Sequence, residues 1–427
     1  MSDIMNKKPF DTDNIVKRWF IMRKNFSVFF IALAFILSCS VFFGYTMVGK
    51  AFADETREVE TCNTENVGKV SDVKCKSAIL VDADSGEVLF SENENSAYPI
   101  ASMCKIMTLL LCFESIDNGE FGFDDKITVS ENAAGMGGSQ VFLETNGEYP
   151  VDELIKSITV ASANDACVAM AEKICGSEDL FVEKMNSKAK ALGMNDTVFV
   201  NCTGLPKSGQ HSSALDVSKM FSELIKHKDY FRFSGIWMDE VNHPKGRITE
   251  ISNTNKLIRY YKGCDSGKTG YTSEAGHCLC ASAVRDGLRL ISVVISAPDS
   301  KTRFKDVSTM FDYGFANFES KTIVNAENPL DFHVSVKNGK KTTVSVVSDR
   351  TVKILNKKNV KRAFEFDFVP ARDVKAPVIA GEPIGVLDIY ENGVKIDSVS
   401  VSAAENVDAK SYLDILFDIT AKWSLIA

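Results

Sequence analysis

Hydrophobic and polar positions divide the chain into stretches of unlike pattern. From Phe26 to Val48 no charge interrupts an apolar run long enough to cross a bilayer. Lys7, Lys8, Lys17, Arg18, Arg23 and Lys24 precede it, and Ala51-Phe52-Ala53 follows it. A basic flank, an apolar core and an A-x-A site predict an export signal over residues 1–53, either cleaved after Ala53 or kept as an anchor. Residues 54–75 are polar and charged, which predicts a linker.

Residues 76–320 carry mixed periods. Ala78-Ile79-Leu80-Val81 and Glu87-Val88-Leu89-Phe90 flank Asp84-Ser85-Gly86 and predict a β-hairpin. The run IASMCKIMTLLLCF, from Ile100, contains no Pro or Gly and is too long for an ordinary strand; it predicts a buried helix with Ser102 at its first turn. Helical patterns dominate from about Asp152 to Lys226, around a Gly/Asn-rich loop at Asn195 to Gln210. A short polar segment ending in Lys268-Thr269-Gly270 leads to two strand runs, His277 to Val284 and Leu288 to Ala297, joined by the turn Arg285-Asp286-Gly287. A helix from about Ser300 to Phe318 follows. Strands at both ends with helices between predict an α+β domain whose ends complete one antiparallel sheet.

Residues 323–405 alternate in short runs broken by Asn338-Gly339 and Asn392-Gly393, the mark of a small all-β domain. Residues 409–427 predict an amphipathic helix. Lys410, Asp414, Asp418 and Lys422 recur opposite Tyr412, Leu416, Ile419, Trp423 and Ile426. Such a stripe suits either a membrane interface or the protein's own β domain.

Composition narrows the function. At 427 residues the chain holds two domains and extras, and 45% hydrophobic with 25% charged residues is ordinary for a globular protein. A net charge of -8 and the lack of a basic stripe argue against nucleic-acid binding. Eleven Cys without a C-x-x-C pair and five His without ligand spacing predict no metal and no cofactor. Most of the Cys read as small buried thiols, although export would allow pairs such as Cys62 with Cys75.

The candidate chemistry begins at Ser102 and Lys105, which share one helix face near the positive end of its dipole. S-x-x-K is a common pattern, with about two matches expected by chance. It also occurs at Ser71-Lys74 and Ser187-Lys190. S-x-N is equally common; it occurs at Ser91, Ser130 and Ser162. K-T-G is rare, with about a tenth of a match expected by chance, and it occurs once, at Lys268-Thr269-Gly270. Only Ser102-Lys105, Ser162-Asn164 and Lys268-Gly270 combine order, wide spacing and the settings of helix start, helical loop and edge strand. Alone, Ser162 and Asn164 would read as a helix cap and Lys268 as a surface lysine. A nucleotide-binding loop ending in Gly267-Lys268-Thr269 fails on glycine spacing, since Gly263 is one residue too close.

These motifs, with YPIASMCKIMT, SANDACVAMAE, NCTGLP, HSSALDVSKM, GKTGYTSEAGHCL and KAPVIAGEPIGVLDIYENG around them, resemble the serine D-Ala-D-Ala carboxypeptidases of the low-molecular-mass penicillin-binding proteins, the penicillin-binding protein 5-like family. The resemblance runs from about Ser77 through the β domain and the terminal helix. It implies a DD-peptidase/β-lactamase-like domain, action outside the cytoplasm at the membrane's outer face, and anchoring by the last helix. One departure is Cys104, where relatives usually have Thr; it predicts altered packing and thiol sensitivity, with the chemistry retained.

The resemblance also implies roles. Ser102 attacks a peptidoglycan stem peptide ending in D-Ala-D-Ala, with Lys105 as its base; Lys serves only when neutral, which burial beside Lys268 would favour. Ser162 relays a proton, and Asn164 holds the substrate amide. Backbone N–H groups of Ser102 and Tyr271 form an oxyanion hole. Lys268, Thr269, Gly270 and Arg303 meet the terminal carboxylate end, and β-lactams become covalent inhibitors. Alternatives are a DD-endopeptidase or transpeptidase with the same site, a β-lactamase, and a non-catalytic membrane-held wall-binding scaffold.

Overall fold

The computed structural model describes residue 70, residues 73–371 and residues 373–424, with side chains to 420. The export signal over 1–53, most of the linker, the side chain of Trp423 and Ile426 lie outside the described residues. Strands β1 (Ser77–Asp82) and β2 (Val88–Glu92) form the expected hairpin. Two short ribbons follow, β3 (Lys126–Thr128) with β4 (Glu148–Pro150), and β5 (Met238–Asn242) with β6 (Ile248–Ser252). Then β7 (Cys264–Thr272), β8 (Gly276–Arg285) and β9 (Leu288–Ala297) complete an antiparallel sheet in the order β2-β1-β9-β8-β7. β1 pairs with β9, so the two ends of the domain close one sheet, as the sequence pattern predicts.

The strands read as continuous apolar runs because both faces are covered. Ile79, Val81, Cys278 and Cys280 face a helical cluster, while Ala78, Leu80, Leu279 and Ala281 face a single helix. In that cluster, helix α1 (Lys105–Asp117) is apolar all round because it is enclosed, as every side chain from Lys105 to Phe113 is buried. Around it lie α2 (Asn164–Cys175), α3 (Glu178–Ala191) and α4 (Ala214–Leu224). Ser213 caps α4 by accepting from Asp216 N. On the opposite face, α5 (Ser300–Asn317) is capped by Asp299, whose carboxylate accepts from Thr302 N at 2.8 Å.

From α5 the chain passes directly into β10 (Phe318–Val324), then β11 (His333–Ser335), β12 (Thr343–Ser348), β13 (Val352–Lys357), β14 (Phe364–Pro370), β15 (Pro383–Glu391) and β16 (Val394–Ala403). β10 pairs with β13, and the rest form a five-stranded sheet, β11-β12-β16-β15-β14. Its core is aliphatic: Val344, Val346, Leu387, Ile389, Val399 and Val401. Helix α6 (Tyr412–Ser424) ends the described chain. Its Tyr412 is 79% exposed and its Phe417 71% exposed, so the helix is not docked on the β domain. Among the described residues no helix is long and apolar enough to cross a membrane. No disulfide joins any two of the described cysteines; Cys62 lies outside them.

Candidate active site

Ser102 sits in a 3₁₀ turn, Ala101–Cys104, that runs into α1, one turn earlier than a helix opening at Ser102 would place it. Ala101 takes a left-handed conformation (φ 46°), a strained geometry for a residue with a Cβ. That turn is held by close backbone packing. A Cβ at Gly204 would meet Ala101 O at 2.1 Å, and one at Gly270 would meet Ile100 O at 2.6 Å and Ser102 N at 3.2 Å. Only residues without a side chain fit there, and the second of them brings edge strand β7 alongside the Ser102 backbone.

Lys105 is fully buried, with its Nζ 3.0 Å from Ser102 Oγ and 2.6 Å from Thr203 O. Burial holds its amine below the ordinary lysine value of 10.5. A neutral amine can donate to the Thr203 carbonyl while its lone pair faces the Ser102 hydroxyl. Thr203 is held in turn by Asn201, whose Oδ1 accepts from Thr203 N at 3.3 Å and from Gly204 N at 2.7 Å.

Lys268 comes from the other side. It lies within β7 itself, not in a polar segment leading to the hairpin, and is 1% exposed. Its Nζ donates to Ser162 Oγ at 2.8 Å and to Thr269 O at 3.1 Å. Burial, then the neighbouring Lys105 and Arg303, push its amine well below the ordinary value. Ser162 does not cap the start of α2, which Ala163 does: it is the left-handed residue (φ 62°) that ends a π-helical turn, Ser157–Ala161. π-Helical turns recur at functional sites.

Asn164 opens α2. Its Nδ2 donates to Gly137 O at 2.7 Å, and its Oδ1 is buried without a partner. Arg303, on α5, donates from Nη1 to Gly270 O at 3.1 Å and Cys278 O at 3.3 Å, with Nε buried and unpaired. Thr269 is buried beside Lys268, and the Tyr271 side chain is 59% exposed at the end of the strand. The structure thus pairs Ser102 with Lys105 and Ser162 with Lys268, sets Gly270 against the Ser102 backbone and ties Arg303 to Gly270, with Asn164 two residues from Ser162. Two carry unpaired polar atoms, as a site awaiting a polar ligand does.

Some contributors were not singled out from the sequence. Thr203 acts through a backbone carbonyl, which residue identity does not encode. Gly137 and Gly138 press on Asn164, with a Cβ at Gly138 falling 2.8 Å from Asn164 Nδ2. Cys104 does not behave as expected for a sensitive thiol. It is fully buried, donates to Asn201 O at 3.2 Å, and burial pushes its pKa up. Among the described residues no cluster of side chains could hold a metal ion.

Residues 63–299 match the family model of the D-alanyl-D-alanine carboxypeptidases. The chain belongs to that family. Residues 318–409 match the C-terminal domain of penicillin-binding protein 5. The chain is similar to the D-alanyl-D-alanine carboxypeptidase DacF of Bacillus subtilis, 39% identical over 82% of this chain and 90% of that protein. The carboxypeptidase DacC of Escherichia coli is 30% identical over 83% of this chain and 89% of its own length. Among solved structures, penicillin-binding protein 5 of Haemophilus influenzae superposes with a TM-score of 0.61, at 28% identity, covering 79% of this chain and 98% of that one. This carboxypeptidase is a serine peptidase and penicillin-binding protein of peptidoglycan metabolism.

Proposed function

We propose that Ser102 is the nucleophile of this carboxypeptidase and that the other eight residues divide the remaining work. Ser102 Oγ attacks the carbonyl carbon between the two terminal D-alanines, and its proton passes to neutral Lys105 Nζ. The backbone N–H groups of Ser102 and Tyr271 donate to the developing oxyanion. The C–N bond breaks, the leaving nitrogen takes a proton relayed through Ser162, and D-alanine departs. Water then cleaves the Ser102 ester and frees the shortened peptide. Asn164 Oδ1, buried and unpaired, accepts from the substrate amide. Lys268, Thr269, Gly270 and Arg303 bind the terminal carboxylate end, where the Arg303 guanidinium offsets its charge and the others donate hydrogen bonds.

The observation that carries this reading is the pair of buried lysines, each within hydrogen-bond reach of a serine hydroxyl and near enough to each other for the charge of Lys105 to act on Lys268. A scaffold without chemistry would have no reason to bury two amines there at the cost of their charge. Labelling with a fluorescent penicillin tests it: wild type labels and Ser102→Ala does not. Labelling of Ser102→Ala at the wild-type rate would move the nucleophile elsewhere. Incubation with a D-Ala-D-Ala peptide, assayed for free D-alanine against cross-linked dimer, separates hydrolysis from transpeptidation.

The same reading places the enzyme outside the cytoplasm, exported by the basic and apolar segment over 1–53 and held at the outer face of the membrane by α6. The exposed Tyr412, Leu413, Phe417 and Ile419 support that anchoring.

A further inference from the structure

The carboxylate end of the cleft contains an imidazole with no part in the mechanism above. His277 lies on β8 directly across from Tyr271 on β7, and the two rings stack at 4.4 Å between centroids. Side chains alternate along β8: Cys278 and Cys280 face the helical cluster, while Leu279 and Ala281 face α5. The bulge at this point lies in β9, and the β7–β8 pairing runs unbroken from Thr269 opposite Leu279 to Tyr271 opposite His277, so His277 keeps the parity of Leu279 and stands on the α5 side with Thr269 and Tyr271. Its Nδ1 is buried and has no hydrogen-bond partner, and the Nε of Arg303 is also buried and unpaired.

Ordinarily a buried polar nitrogen costs free energy unless something pairs with it. Here two such nitrogens, on an imidazole and a guanidinium, belong to residues that meet at the same strand end. Arg303 donates to the carbonyls of Gly270 and Cys278, the residues next to Tyr271 and His277, and this fixes the guanidinium beside the stack. The charged and titratable groups facing the ring are Tyr271 from β7 and Arg303 and Asp299 from α5; β9 places Ala297 opposite His277. Asp299 is occupied by Thr302, whose N and Oγ1 both donate to it. Those hydrogen bonds hold Asp299 as an anion, and its charge opposes the effect of Arg303 on the imidazole.

We propose that His277 is a titratable positioning residue for the substrate's terminal carboxylate. In the free enzyme it is a neutral prop for Tyr271; when the carboxylate arrives beside Arg303 it takes up a proton and becomes a second cation. The proposal rests on the reading of Arg303 as part of the carboxylate pocket. Burial first, then Arg303, hold the free imidazole below its ordinary value of 6.5. An incoming anion acts in the opposite direction, so proton uptake accompanies binding. Binding of a carboxylate ligand then strengthens as pH falls towards the imidazole range, while a ligand without the carboxylate gains nothing.

The test compares acylation rate constants for benzylpenicillin and its methyl ester from about pH 8 to about pH 5. Taking their ratio cancels the titration of Lys105, which both probes share. In the wild type the ratio of acid to ester rises on acidification by about two- to fivefold, the worth of a half-exposed ion pair. His277→Gln and His277→Phe, the second of which keeps a ring against Tyr271, give a flat ratio. A flat ratio in the wild type, with Arg303→Gln lowering the ratio at every pH, overturns the role of His277 and leaves the carboxylate pocket standing. A wild-type ratio that is flat and unmoved by Arg303→Gln overturns both.

Discussion

The amine of Lys268 donates to the hydroxyl of Ser162 at 2.8 Å across a separation of 106 residues. Neither element can hold its partner alone. Ser162 needs a left-handed turn after an interrupted helix, and Lys268 needs an edge strand buried against that turn. The contact therefore reports that the helical cluster and the sheet have closed on each other. The same closure lowers the lysine's affinity for its proton, first by burying it and then by bringing Lys105 and Arg303 near. Folding and activation are thus one event at this site.

That coupling predicts the pH dependence of acylation. As the base proposed for Ser102, Lys105 would work only as the neutral amine, and burial depresses its pKa from the ordinary 10.5. The fraction in the active form, and with it the rate of penicillin acylation, rises with pH through that depressed pKa and then levels. Lys105→Arg cannot lose its proton, and its acylation rate falls about 10²-fold or more at every pH. Stopped-flow acylation of both proteins across the pH range is the measurement. A variant retaining the wild-type rate would remove Lys105 from the role of base.

Substituting the glycine under the Ser102 turn tests the packing. A Cβ on Gly204 would stand 2.1 Å from Ala101 O and 2.9 Å from Ser102 N, at a positive φ that side chains rarely adopt. Gly204→Ala is expected to cost about 1–3 kcal/mol of stability and to slow acylation at least about tenfold through the displaced turn. Thermal unfolding and penicillin labelling read the two effects separately. Gly86→Ala, where the added Cβ meets nothing within 4 Å but φ is also positive, controls for backbone strain alone.

Much of this arrangement was legible in the chain because it depends on residue identity. The rarity of K-T-G marked β7, and the unbroken apolar run from Ile100 marked α1. Strand pairing at both ends followed from apolar runs around Arg285-Asp286-Gly287. The ribbons β3–β4 and β5–β6 were not legible. They are three to five residues long, mostly charged or exposed, and owe their pairing to tertiary contacts such as Tyr149 with His243. Thr203 lay in the family-like stretch NCTGLP, but its contribution is a carbonyl placed by a loop, which its side chain does not announce. His277 lacks a motif, and only the register with Tyr271 brings it to the cleft.

The β5–β6 ribbon carries an acid-sensitive contact. Tyr149 OH donates to His243 Nδ1 at 2.8 Å, Arg247 Nη2 donates to the same nitrogen at 2.9 Å, and His243 Nε2 donates to Thr249 Oγ1 at 2.9 Å. Only the neutral ring accepts at Nδ1, and burial, then Arg247, hold its pKa below the ordinary 6.5. A folded pKa below the unfolded one means that the unfolded chain binds the extra proton more readily. The stabilisation is present above about 6.5 and is lost as pH falls through the folded value. Thermal unfolding should show a falling midpoint between roughly pH 7 and roughly pH 5, with a shallower fall in His243→Gln. Equal slopes in the two proteins would place the acid sensitivity elsewhere.

The anchoring proposed for the terminal helix predicts which force would hold it at a membrane. Tyr412, Leu413, Leu416, Phe417 and Ile419 are all exposed, and fully burying a side chain of this kind is worth about 1.5–3 kcal/mol. Charge adds little, because Lys410 and Lys422 are balanced by Asp414 and Asp418, and Lys410 already pairs with Asp418. Binding to neutral phosphatidylcholine vesicles should therefore match binding to anionic ones and persist at about 0.5 M salt, where the Debye length is only a few ångströms. Phe417→Glu, or removal of residues 410–427, should abolish co-sedimentation with vesicles and leave acylation by soluble penicillin unchanged, since α6 supplies none of the groups around Ser102. Co-sedimentation that disappears in salt would point to an electrostatic contact made by another part of the chain, and a protein partner for α6 would then be the better reading.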